Sequence, residues 1–409
     1  MEKIYPKLIL KKGKERSLQN FHPWLFSGAV EKQDKELTEG CIAEIFSNDD
    51  RYLATAHFHH GSIVARVLSF EKCEIDQQFF NQKITKALEL RKHLYLTDSA
   101  ETTVYRLVNA EGDGLPGLII DIYNRTAVIQ THTAGMFEAK DFIKNALLDI
   151  SELQLKAVYD KSSASMEKHS GIVRKDSFGE SKDTYLFGEK ENNIVLENGI
   201  KFSVDWEGGQ KTGFFIDQRE NRKLLMQYSK NKKVLNTFAY SGGFSLYALQ
   251  AGASLVHSVD SSKKAMEWAN QNVELNFSAR SPSDRNVVHN YFALDTFDFL
   301  KRENEIYDII ILDPPSFAKH LSAVDKAAIG YRNLNCEAIK RINKNGILFT
   351  FSCSQAIDKN LFRKIVFMAA AQAKRNVKVL HQLSQAPDHP VNIYHPEGEY
   401  LKGLVLFIE

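Results

Sequence analysis

Residues 307–317 have the sequence Tyr307-Asp-Ile-Ile-Ile-Leu-Asp-Pro-Pro-Ser-Phe317. The apolar run before the second aspartate is typical of a strand that is buried on both faces of a parallel sheet. The two prolines cannot continue a helix, and they hold the chain extended beyond the strand. Asp313 is therefore predicted to lie at the carboxyl end of a buried strand, on a stiff support.

Similar strand-like runs occur on both sides of this stretch, and segments with helical periodicity such as 262–276 separate them. From about residue 194 onwards, this alternation predicts an α/β domain with a Rossmann-like, doubly wound and mostly parallel sheet. We expect the last two runs to form an antiparallel pair at the sheet edge. The seven predicted strands are 233–236, 255–259, 287–290, 308–312, 347–351, 377–380 and 404–407.

The first half of the chain has a different pattern. Up to about residue 75, short β-rich runs alternate with turn residues, which predicts a small β-barrel, and a helix is expected over 76–95. Residues 104–180 combine strand-like runs with one predicted helix at 136–150, and the polar stretch 168–193 is interpreted as a linker or exposed hairpin. The predicted domains are a barrel at 1–75, a central α+β domain at 76–190 and the doubly wound domain at 191–409.

The composition is that of a soluble globular protein, with 43% hydrophobic and 25% charged residues among 409. The first ten residues include Glu2, Lys3 and Lys7, which does not fit a signal peptide, and no run is long enough to cross a bilayer. The four cysteines lie far apart without metal-ligand spacing, so neither a disulfide framework nor a metal site is expected. These features predict a cytoplasmic protein without a membrane segment.

The net charge is only +2, so a polyanion must be bound by local patches of positive charge. A basic segment near the N-terminus is one candidate, and within it we assign Lys11 and Lys12 to substrate binding. On charge alone, a solvated tail or strand edge fits this segment equally well. Its basic residues are Lys3, Lys7, Lys11, Lys12, Lys14 and Arg16.

A turn rich in small residues, Asn236-Thr-Phe-Ala-Tyr-Ser-Gly-Gly-Phe244, follows the first strand of the doubly wound domain. Ligands of open α/β sheets bind at the carboxyl ends of the strands near the switch in strand order, so this turn is expected to face a ligand. It lacks the glycine pattern of a dinucleotide site, but S-adenosylmethionine has no phosphate and needs only a looser turn. The residues that we assign to cofactor binding here are Asn236, Phe238, Tyr240, Ser241 and Gly242.

Two aspartates follow the next two strands. Asp260 ends the second strand, where an acidic side chain can accept hydrogen bonds from both ribose hydroxyls. Asp295 comes just after the third strand, in a position to meet the adenine amino group. Each aspartate alone fits a helix cap equally well, and a Gly-Gly turn is usually only a turn. Their order and spacing together predict a nucleoside site.

The strand after Asp313 ends in Ser352-Cys-Ser354, which brings Cys353 to the same edge of the predicted sheet. If the two strands are neighbours, their ends lie only about 5 Å apart. A carboxylate on a stiff support can bind the amino and ring-nitrogen edge of a base, so Asp313, Pro314 and Pro315 are assigned to a nucleobase site. Cys353 is then predicted to face the same base.

A thiol at this position is informative because C5 of cytosine is a poor nucleophile. A thiolate that adds to C6 makes the ring enamine-like, so that C5 can attack a sulfonium methyl, and loss of the C5 proton then expels the thiol. Cys353 needs a lowered pKa or a base to act in this way, and the sequence does not identify either. A buried cysteine more often packs without reacting, which is our interpretation of Cys336.

These motifs resemble those of the large-subunit ribosomal RNA cytosine-5 methyltransferases of the RlmI type, over essentially the whole chain. The resemblance implies an N-terminal PUA domain, a central α+β domain and a class I methyltransferase domain that uses S-adenosylmethionine. It also implies 23S ribosomal RNA as the partner, single-stranded or unassembled, and we expect a homodimer to be possible. Further segments that carry the resemblance are 22–28, 106–118, 211–222, 388–390 and 399–403.

Site residues also follow from the resemblance. It implies that the segment 211–222 covers the methionine end of the cofactor, that Asp260 and Asp295 hold the nucleoside, and that Cys353 is the nucleophile with Asp313 at the active centre. The residues of the segment that line the pocket by resemblance are Phe215, Asp217, Gln218 and Arg219.

Other functions stay open at this stage. Relatives with the same Asp-Pro-Pro motif modify guanine, so the choice of cytosine depends on Cys353 and on the PUA-like barrel. One alternative is therefore a guanine-modifying RNA methyltransferase, and another is a ribosome assembly factor that binds RNA and cofactor without turnover. A small-molecule methyltransferase would leave the two N-terminal domains without a purpose.

Overall fold

The computed structural model describes residues 4–170, 183–278, 288–302, 305–318 and 320–409. The chain forms two compact units with separate cores. The first unit contains Met1–Val195, Val204–Ile216 and Pro387–Gly398, and the second contains Leu196–Ser203, Asp217–Ala386 and Glu399–Glu409. The division into three domains at residues 75 and 190 stays a prediction.

The N-terminal part of the first unit is a six-stranded sheet. Its strands are β1 (Lys7–Leu10), β2 (Trp24–Phe26), β3 (Val30–Gln33), β4 (Ile42–Phe46), β5 (Tyr52–Phe58) and β6 (Ile63–Ser69), with helix α1 (Arg16–Gln19) after β1. Their order is β2-β6-β5-β4-β1-β3, and only β1 and β4 pair in parallel. Leu8, Leu25, Ile45 and Phe58 fill its core, which confirms the β-rich character of this part of the chain, while its closure into a barrel stays a prediction.

A five-stranded sheet with helices completes the first unit. Its elements are α2 (Gln77–His93), β7 (Val104–Asn109), β8 (Leu118–Tyr123), β9 (Thr126–Thr131), α3 (Ala134–Glu138), α4 (Lys140–Asp149), β10 (Ala157–Asp160), α5 (Ser163–Ser170) and β11 (Thr184–Phe187). The strand order is β11-β10-β9-β8-β7. Helix α2 matches the predicted one, and the side chain of Asp76 caps it by accepting a hydrogen bond from the backbone N–H of Phe79.

The single helix predicted at 136–150 is wrong, because the chain forms two helices that meet at Ala139. Ala134 and Phe137 of α3 pack on Met166, whereas Met136 of α3 and Ile143 of α4 join the main core of this part of the unit. Ala139, between the two helices, has φ −83° and ψ 7°, so the regular α-helical backbone is interrupted there.

The interpretation of 168–193 as a linker or exposed hairpin is wrong for Thr184–Phe187. These residues form the edge strand β11, which pairs antiparallel with β10. Three of the four side chains are partly buried and Phe187 is exposed, and the apolar run Tyr185-Leu-Phe187 is shorter than the roughly four to eight residues by which a strand is recognised. Residues 171–182 of this stretch lie outside the described residues.

The motif at 388–390 ties down the segment 106–118 within the first unit. The carboxylate of Asp388 accepts a hydrogen bond of 3.0 Å from the backbone N–H of Arg106, and its carbonyl accepts one of 2.7 Å from Arg91. The carbonyl of Pro390 accepts a bond of 3.0 Å from the side chain of Asn109. Through these hydrogen bonds, the motifs 388–390 and 106–118 both stabilise the fold of the first unit.

The second unit is built on a seven-stranded sheet. In the chain before the large sheet, β12 (Ile194–Glu197) and β13 (Ile200–Ser203) form a separate two-stranded sheet. The strands of the large sheet are β14 (Lys233–Thr237), β15 (Leu255–Asp260), β16 (Val288–Ala293), β17 (Tyr307–Leu312), β18 (Ile342–Ser352), β19 (Val377–Leu383) and β20 (Lys402–Ile408). The helices are α6 (Arg219–Ser229), α7 (Gly243–Gln250), α8 (Lys263–Phe277), α9 (Thr296–Arg302), α10 (Val324–Arg341) and α11 (Lys359–Ala373).

The strand order of the large sheet is β16-β15-β14-β17-β18-β20-β19, in which only β20 runs against its neighbours. This confirms the doubly wound sheet and the antiparallel pair at its edge. All seven predicted strands are present, although Val287 lies outside the described residues. The chain reverses direction along the sheet between β14 and β17, so the carboxyl ends of these strands border the crevice where such sheets bind ligands.

Cys336 is completely buried in α10 within the core of the second unit. This agrees with the packing role expected of it. Within the described ranges, no helix is both long enough and apolar enough to cross a bilayer.

Candidate active site

The turn after β14 has an unusual backbone. Phe238, Tyr240 and Gly242 all have positive φ angles, of 53°, 47° and 81°. Side chains other than glycine are strained in this region, at a cost of about 1–3 kcal/mol each, and such strain is concentrated at ligand-binding sites. Two strained aromatic residues in one turn therefore point to a site at the end of β14.

The turn is also packed closely against α8. A Cβ atom built on Gly242 would lie 3.0 Å from the Cβ of Ala269, and Asn272 donates a hydrogen bond of 3.0 Å to the carbonyl of Ser241. The indole ring of Trp268 lies 5.2 Å from the ring of Tyr240. The shape of the turn is therefore set by the helix behind it.

Asn236 lies beneath the turn in a buried polar network. Its amide nitrogen donates a hydrogen bond of 2.9 Å to the hydroxyl of Ser245. That hydroxyl lies 2.7 Å from the hydroxyl of Ser258, which lies 2.8 Å from Nε2 of His289. The network joins β14, α7, β15 and β16, and it supports the floor of the predicted cofactor site.

Asp260 is half-buried at the end of β15. Its carboxylate accepts a hydrogen bond of 3.1 Å from the backbone N–H of Tyr240 and one of 2.9 Å from that of Ser262. These two bonds fix the carboxylate beside the strained turn. An ionised carboxylate has about four acceptor positions, so it can also accept hydrogen bonds from a ribose diol.

Asp295 is exposed after β16, and it caps α9. One carboxylate oxygen accepts hydrogen bonds from the backbone N–H groups of Phe297 and Asp298, at 2.8 and 3.1 Å. The helix cap that the sequence allowed is therefore present. It also holds the carboxylate at the carboxyl end of β16, next in the sheet to β15 and Asp260.

Asp313 follows β17, and its carboxylate is bound by the side chain of Gln218. The amide nitrogen of Gln218 donates a hydrogen bond of 3.0 Å to its carboxylate. The amide oxygen of Gln218 in turn accepts a bond of 2.6 Å from Asn221. The sequence did not predict a role for Asn221, because a single asparagine within a helix has no pattern that indicates such a hydrogen bond.

Asp217 and Arg219 flank Gln218, and both are buried. The hydroxyl of Tyr400 donates a hydrogen bond of 2.7 Å to the carboxylate of Asp217. The carbonyl of Asp217 accepts one of 3.0 Å from the backbone N–H of Ala386. Tyr400 belongs to the motif at 399–403, for which sequence reasoning assigned no role.

Three of the predicted site residues lie in the first unit. Phe215 is half-buried there, and the ammonium group of Lys211 lies 4.4 Å from the centre of its ring. Lys11 and Lys12 are exposed, and Lys11 donates a hydrogen bond of 3.0 Å to the carbonyl of Gly28. All the other predicted site residues lie in the second unit: Asp217, Gln218 and Arg219 are at the start of α6, and the rest follow or end the strands β14 to β18.

Cys353 lies directly beyond β18, which is the parallel neighbour of β17. The adjacency on which its predicted role depended is therefore confirmed. Its sulfur lies 3.9 Å from the carbonyl oxygen of Pro314, the residue after Asp313, and its side chain is half-buried. The thiol thus points to the edge of the sheet that carries Asp313.

Ser354 connects the loops around this thiol. Its hydroxyl lies 3.0 Å from the hydroxyl of Ser316 and 3.0 Å from that of Tyr331, and it accepts a hydrogen bond of 3.3 Å from the backbone N–H of Ala318. Burial raises the pKa of Tyr331, so its hydroxyl stays protonated at neutral pH. This cluster holds the loop after Pro314 and Pro315 against the loop that carries Cys353.

Known proteins share this arrangement of elements and motifs. A family model described as S-adenosylmethionine-dependent methyltransferase matches residues 150–393, and a model described as PUA-like domain matches residues 8–70. Proteins named ribosomal RNA large subunit methyltransferase I from Vibrio campbellii and Aeromonas salmonicida are each 39% identical to this chain. The first alignment covers 97% of this chain and 98% of the relative, and the second covers 98% of both.

The chain belongs to the ribosomal RNA large subunit methyltransferase I family. It is an enzyme of the S-adenosylmethionine-dependent methyltransferases, and S-adenosylmethionine is its cofactor. The fold agrees with that of a Streptococcus mutans protein described as a SAM-dependent methyltransferase, at a TM-score of 0.81 and 24% identity over 98% of this chain and 99% of that one. A methyltransferase crystallised with S-adenosylhomocysteine gives a TM-score of 0.82 at the same identity and coverage.

The residues of the second unit fit the cofactor of this family. The strained turn at 238–242 lies at the carboxyl end of β14, and the carboxylate of Asp260 beside it suits a ribose diol. Asp217 and Asp313 add negative charge, which suits the sulfonium and amino groups of the methionine end. The assignment of each residue to a part of the cofactor stays a prediction.

Proposed function

We propose that this methyltransferase acts on C5 of a cytosine in large-subunit ribosomal RNA, with Cys353 as the nucleophile that forms a covalent adduct. The observation that carries the proposal is the position of Cys353 and Asp313 at the ends of neighbouring parallel strands, with the sulfur 3.9 Å from the carbonyl of Pro314. This arrangement suits a pyrimidine, because the carboxylate can bind the base while the adjacent thiol attacks its C6.

RNA as the substrate is supported by two further observations. The relatives that match nearly the whole chain are named as methyltransferases of ribosomal RNA, and residues 8–70 match a PUA-like domain. We propose unassembled or single-stranded 23S RNA as the substrate, since a base must leave its stack to reach a site at a sheet edge. A homodimer and a cytoplasmic location stay predictions.

In the proposed reaction, the thiol of Cys353 loses its proton to solvent, and the thiolate uses its lone pair to form a bond to C6 of the base. The electrons of the C5–C6 double bond then form the bond from C5 to the methyl group. Bound S-adenosylmethionine would supply that methyl group as an electrophile, with the bond from its sulfur to the methyl carbon breaking to leave neutral S-adenosylhomocysteine. A base removes the C5 proton, the double bond re-forms, and the bond from sulfur to C6 breaks to return the thiolate.

The chain's own residues would orient the reactants. Asp313, aimed by Gln218, would accept hydrogen bonds from the amino edge of the base, and Pro314 and Pro315 would keep its backbone extended against that base. For the cofactor, we propose Asp260 and Asp295 at the nucleoside and the turn after β14 against its rings. In the first unit, Lys11 and Lys12 are exposed and would contact RNA phosphates.

The experiment is to incubate the protein with methyl-labelled cofactor and ribosomal RNA from cells that lack it, and to digest the RNA to nucleosides. The proposal expects label in 5-methylcytidine, and it expects Cys353→Ala to abolish that label. The matched control is Cys336→Ala, because Cys336 is buried in α10 away from the sheet edge. Label in a methylguanosine that persists in Cys353→Ala would contradict the proposal, and so would no label on any ribosomal RNA.

The covalent step has a direct test. RNA that contains 5-fluorocytidine cannot lose fluorine as a cation, so the adduct between sulfur and C6 should persist after methyl transfer. The proposal expects a protein–RNA band that survives denaturing electrophoresis with the unaltered protein and Cys336→Ala, but not with Cys353→Ala. A band of equal intensity in Cys353→Ala would place the bond at another residue.

A further inference from the structure

Lys402 is a buried lysine next to the proposed nucleophile. Its side chain is only 4% exposed, although lysine is almost never buried without a specific partner. It begins strand β20, whose antiparallel register with β18 places Lys402 opposite Ser352. Ser352 immediately precedes Cys353, so the cation enters the sheet edge beside the thiol.

The hydrogen bonds of Lys402 fix its ammonium group on the other side of Cys353. Its Nζ donates a bond of 2.6 Å to the carbonyl of Ser354 and one of 2.8 Å to the carbonyl of Tyr400. Lys402 therefore contacts the residues on both sides of Cys353: it pairs with Ser352 in the sheet, and it donates a hydrogen bond to the carbonyl of Ser354. Both acceptors are neutral carbonyls, so these bonds position the positive charge without neutralising it.

We propose that Lys402 is the positioning residue that stabilises the thiolate form of Cys353. The proposal deepens the proposed function, since it rests on Cys353 as the nucleophile. The cation would act twice, first when the thiol gives its proton to solvent, and again when the bond from sulfur to C6 breaks and the thiolate leaves. Lys402 keeps its own proton throughout and forms no bond to the base.

The electrostatics of the surrounding groups agree with this role. Burial lowers the pKa of Lys402 to about 8, while negative charge on Cys353, Glu399 and Asp358 opposes that shift and the cation of Lys359 adds to it. At pH 7 the amine is thus mostly protonated in spite of its burial. The pKa of Tyr331 is raised mainly by burial, and negative charge on Cys353 adds to that rise. A nearby positive charge favours the ionised form of an acidic group such as a thiol and lowers its pKa.

The test measures the thiol of Cys353 directly in the full-length protein. Alkylation by iodoacetamide is followed across pH, and peptide mass spectrometry separates Cys353 from the three other cysteines. We expect the wild-type thiol to titrate below its ordinary pKa of about 8.5. Lys402→Met should raise that pKa by about one unit or more, which lowers the alkylation rate near pH 7 about tenfold.

Two variants serve as controls. Lys402→Arg keeps the positive charge and should keep the depressed thiol pKa, a rescue that a merely structural lysine would not require. Lys378→Met changes an exposed lysine on the adjacent strand β19 that pairs with Glu409, and should leave the thiol unchanged. A folded Lys402→Met with the wild-type thiol pKa would overturn the proposal. If Lys402→Met does not fold, a wild-type thiol pKa at or above 8.5 overturns it instead.

The alkylation needs neither RNA nor methyl transfer, so it is separate from the test of the proposed function. RNA labelled in guanine would end the cytosine proposal while leaving the thiol pKa as measured. A normal thiol pKa together with 5-methylcytidine would end the role of Lys402 and leave the cytosine proposal standing.

Discussion

The amide nitrogen of Gln218 lies 3.0 Å from a carboxylate oxygen of Asp313. The orientation of that amide is determined by its other end, because the oxygen of Gln218 accepts a hydrogen bond of 2.6 Å from Asn221. Asn221 in turn lies 3.2 Å from the carbonyl of Ser384, to which its amide nitrogen donates. A chain of amides from the start of α6 thus aims the carboxylate at the sheet edge.

Gln218→Leu should lower the catalytic efficiency with RNA by about tenfold to a hundredfold. Leucine has nearly the same volume but cannot donate a hydrogen bond to Asp313, so the orientation of the carboxylate is no longer fixed. Misplacement of a catalytic group by about 1 Å can lower the rate about a hundredfold. Methyl incorporation measured against RNA concentration checks this. The matched control is Gln382→Leu, an exposed glutamine on β19, which should retain full activity. Equal activity of Gln218→Leu and Gln382→Leu would remove Gln218 from the site.

Tyr400→Phe should weaken cofactor binding by about tenfold or more. The phenol donates a hydrogen bond of 2.7 Å to the buried carboxylate of Asp217, and a bond to a charged group contributes about 1.5–3 kcal/mol. Calorimetric titration with S-adenosylhomocysteine measures the affinity. Tyr228→Phe removes a phenolic hydrogen bond of 2.7 Å to His381 in the same unit and should leave the affinity unchanged. If both variants bind the cofactor alike, Asp217 and Tyr400 serve only the fold.

Acid should destabilise the first unit through His57. Its ring is buried against Gly135, its Nδ1 has no hydrogen-bond partner among the described residues, and burial lowers its pKa to about 3. The unfolded chain binds a proton near the ordinary pKa of 6.5, so the stabilisation is complete above that pH and is lost as the pH falls towards 3. Between pH 7 and 4.5 we expect a loss of about 3 kcal/mol from this residue.

Urea unfolding at both pH values measures this loss. His57→Gln cannot take up a proton, so the pH dependence of its unfolding free energy should be smaller by that amount. His60→Gln removes an exposed histidine nearby and should behave as the unaltered protein does. A pH dependence that is the same in all three proteins would show that His57 is charged in the folded state or contributes nothing.

The sheet of the second unit was largely predictable because its signals are local. Most of the parallel strands contain an apolar run, and Asp260 and Asp313 mark strand ends within a few residues of such runs. The break at Ala139 and the edge strand at Thr184–Phe187 were missed for the opposite reason. Both depend on which distant cluster or neighbouring strand a segment meets, and a half-buried edge strand has no periodicity that announces it.

The same distinction applies to the site. The positions of Asp313 and Cys353 followed from the ends of two adjacent strands, whereas Asn221, Tyr400 and Lys402 did not follow from any local pattern. Lys402 reaches the loop of Cys353 only through the antiparallel register of β20 on β18, some fifty residues apart in the chain. One motif, Glu399-Tyr-Leu-Lys-Gly403, contained two of these residues, but its sequence alone gives no reason to place them at the sheet edge.

A comparison of Gly242→Ala with Gly252→Ala distinguishes the effect of backbone strain alone from the effect of displacing the turn at the site. Both glycines have φ near +80°, at 81° and 84°, so alanine at either position should cost about 1–2 kcal/mol of stability. An added Cβ on Gly252 meets nothing within 4 Å, whereas one on Gly242 lies 3.0 Å from the Cβ of Ala269. Gly242→Ala therefore requires the turn after β14 and helix α8 to separate by a few tenths of an ångström.

We expect the two variants to lose similar stability in urea, with a somewhat larger loss for Gly242→Ala, and only Gly242→Ala to bind S-adenosylhomocysteine more weakly. The reason is that Tyr240 in the same turn donates its backbone N–H to Asp260, so a displaced turn also releases the carboxylate proposed to hold the ribose. Unchanged affinity in a folded Gly242→Ala would mean that the strained turn does not contact the cofactor. Weaker binding in Gly252→Ala would mean that strain anywhere around α7 is enough, and the turn would lose its special role.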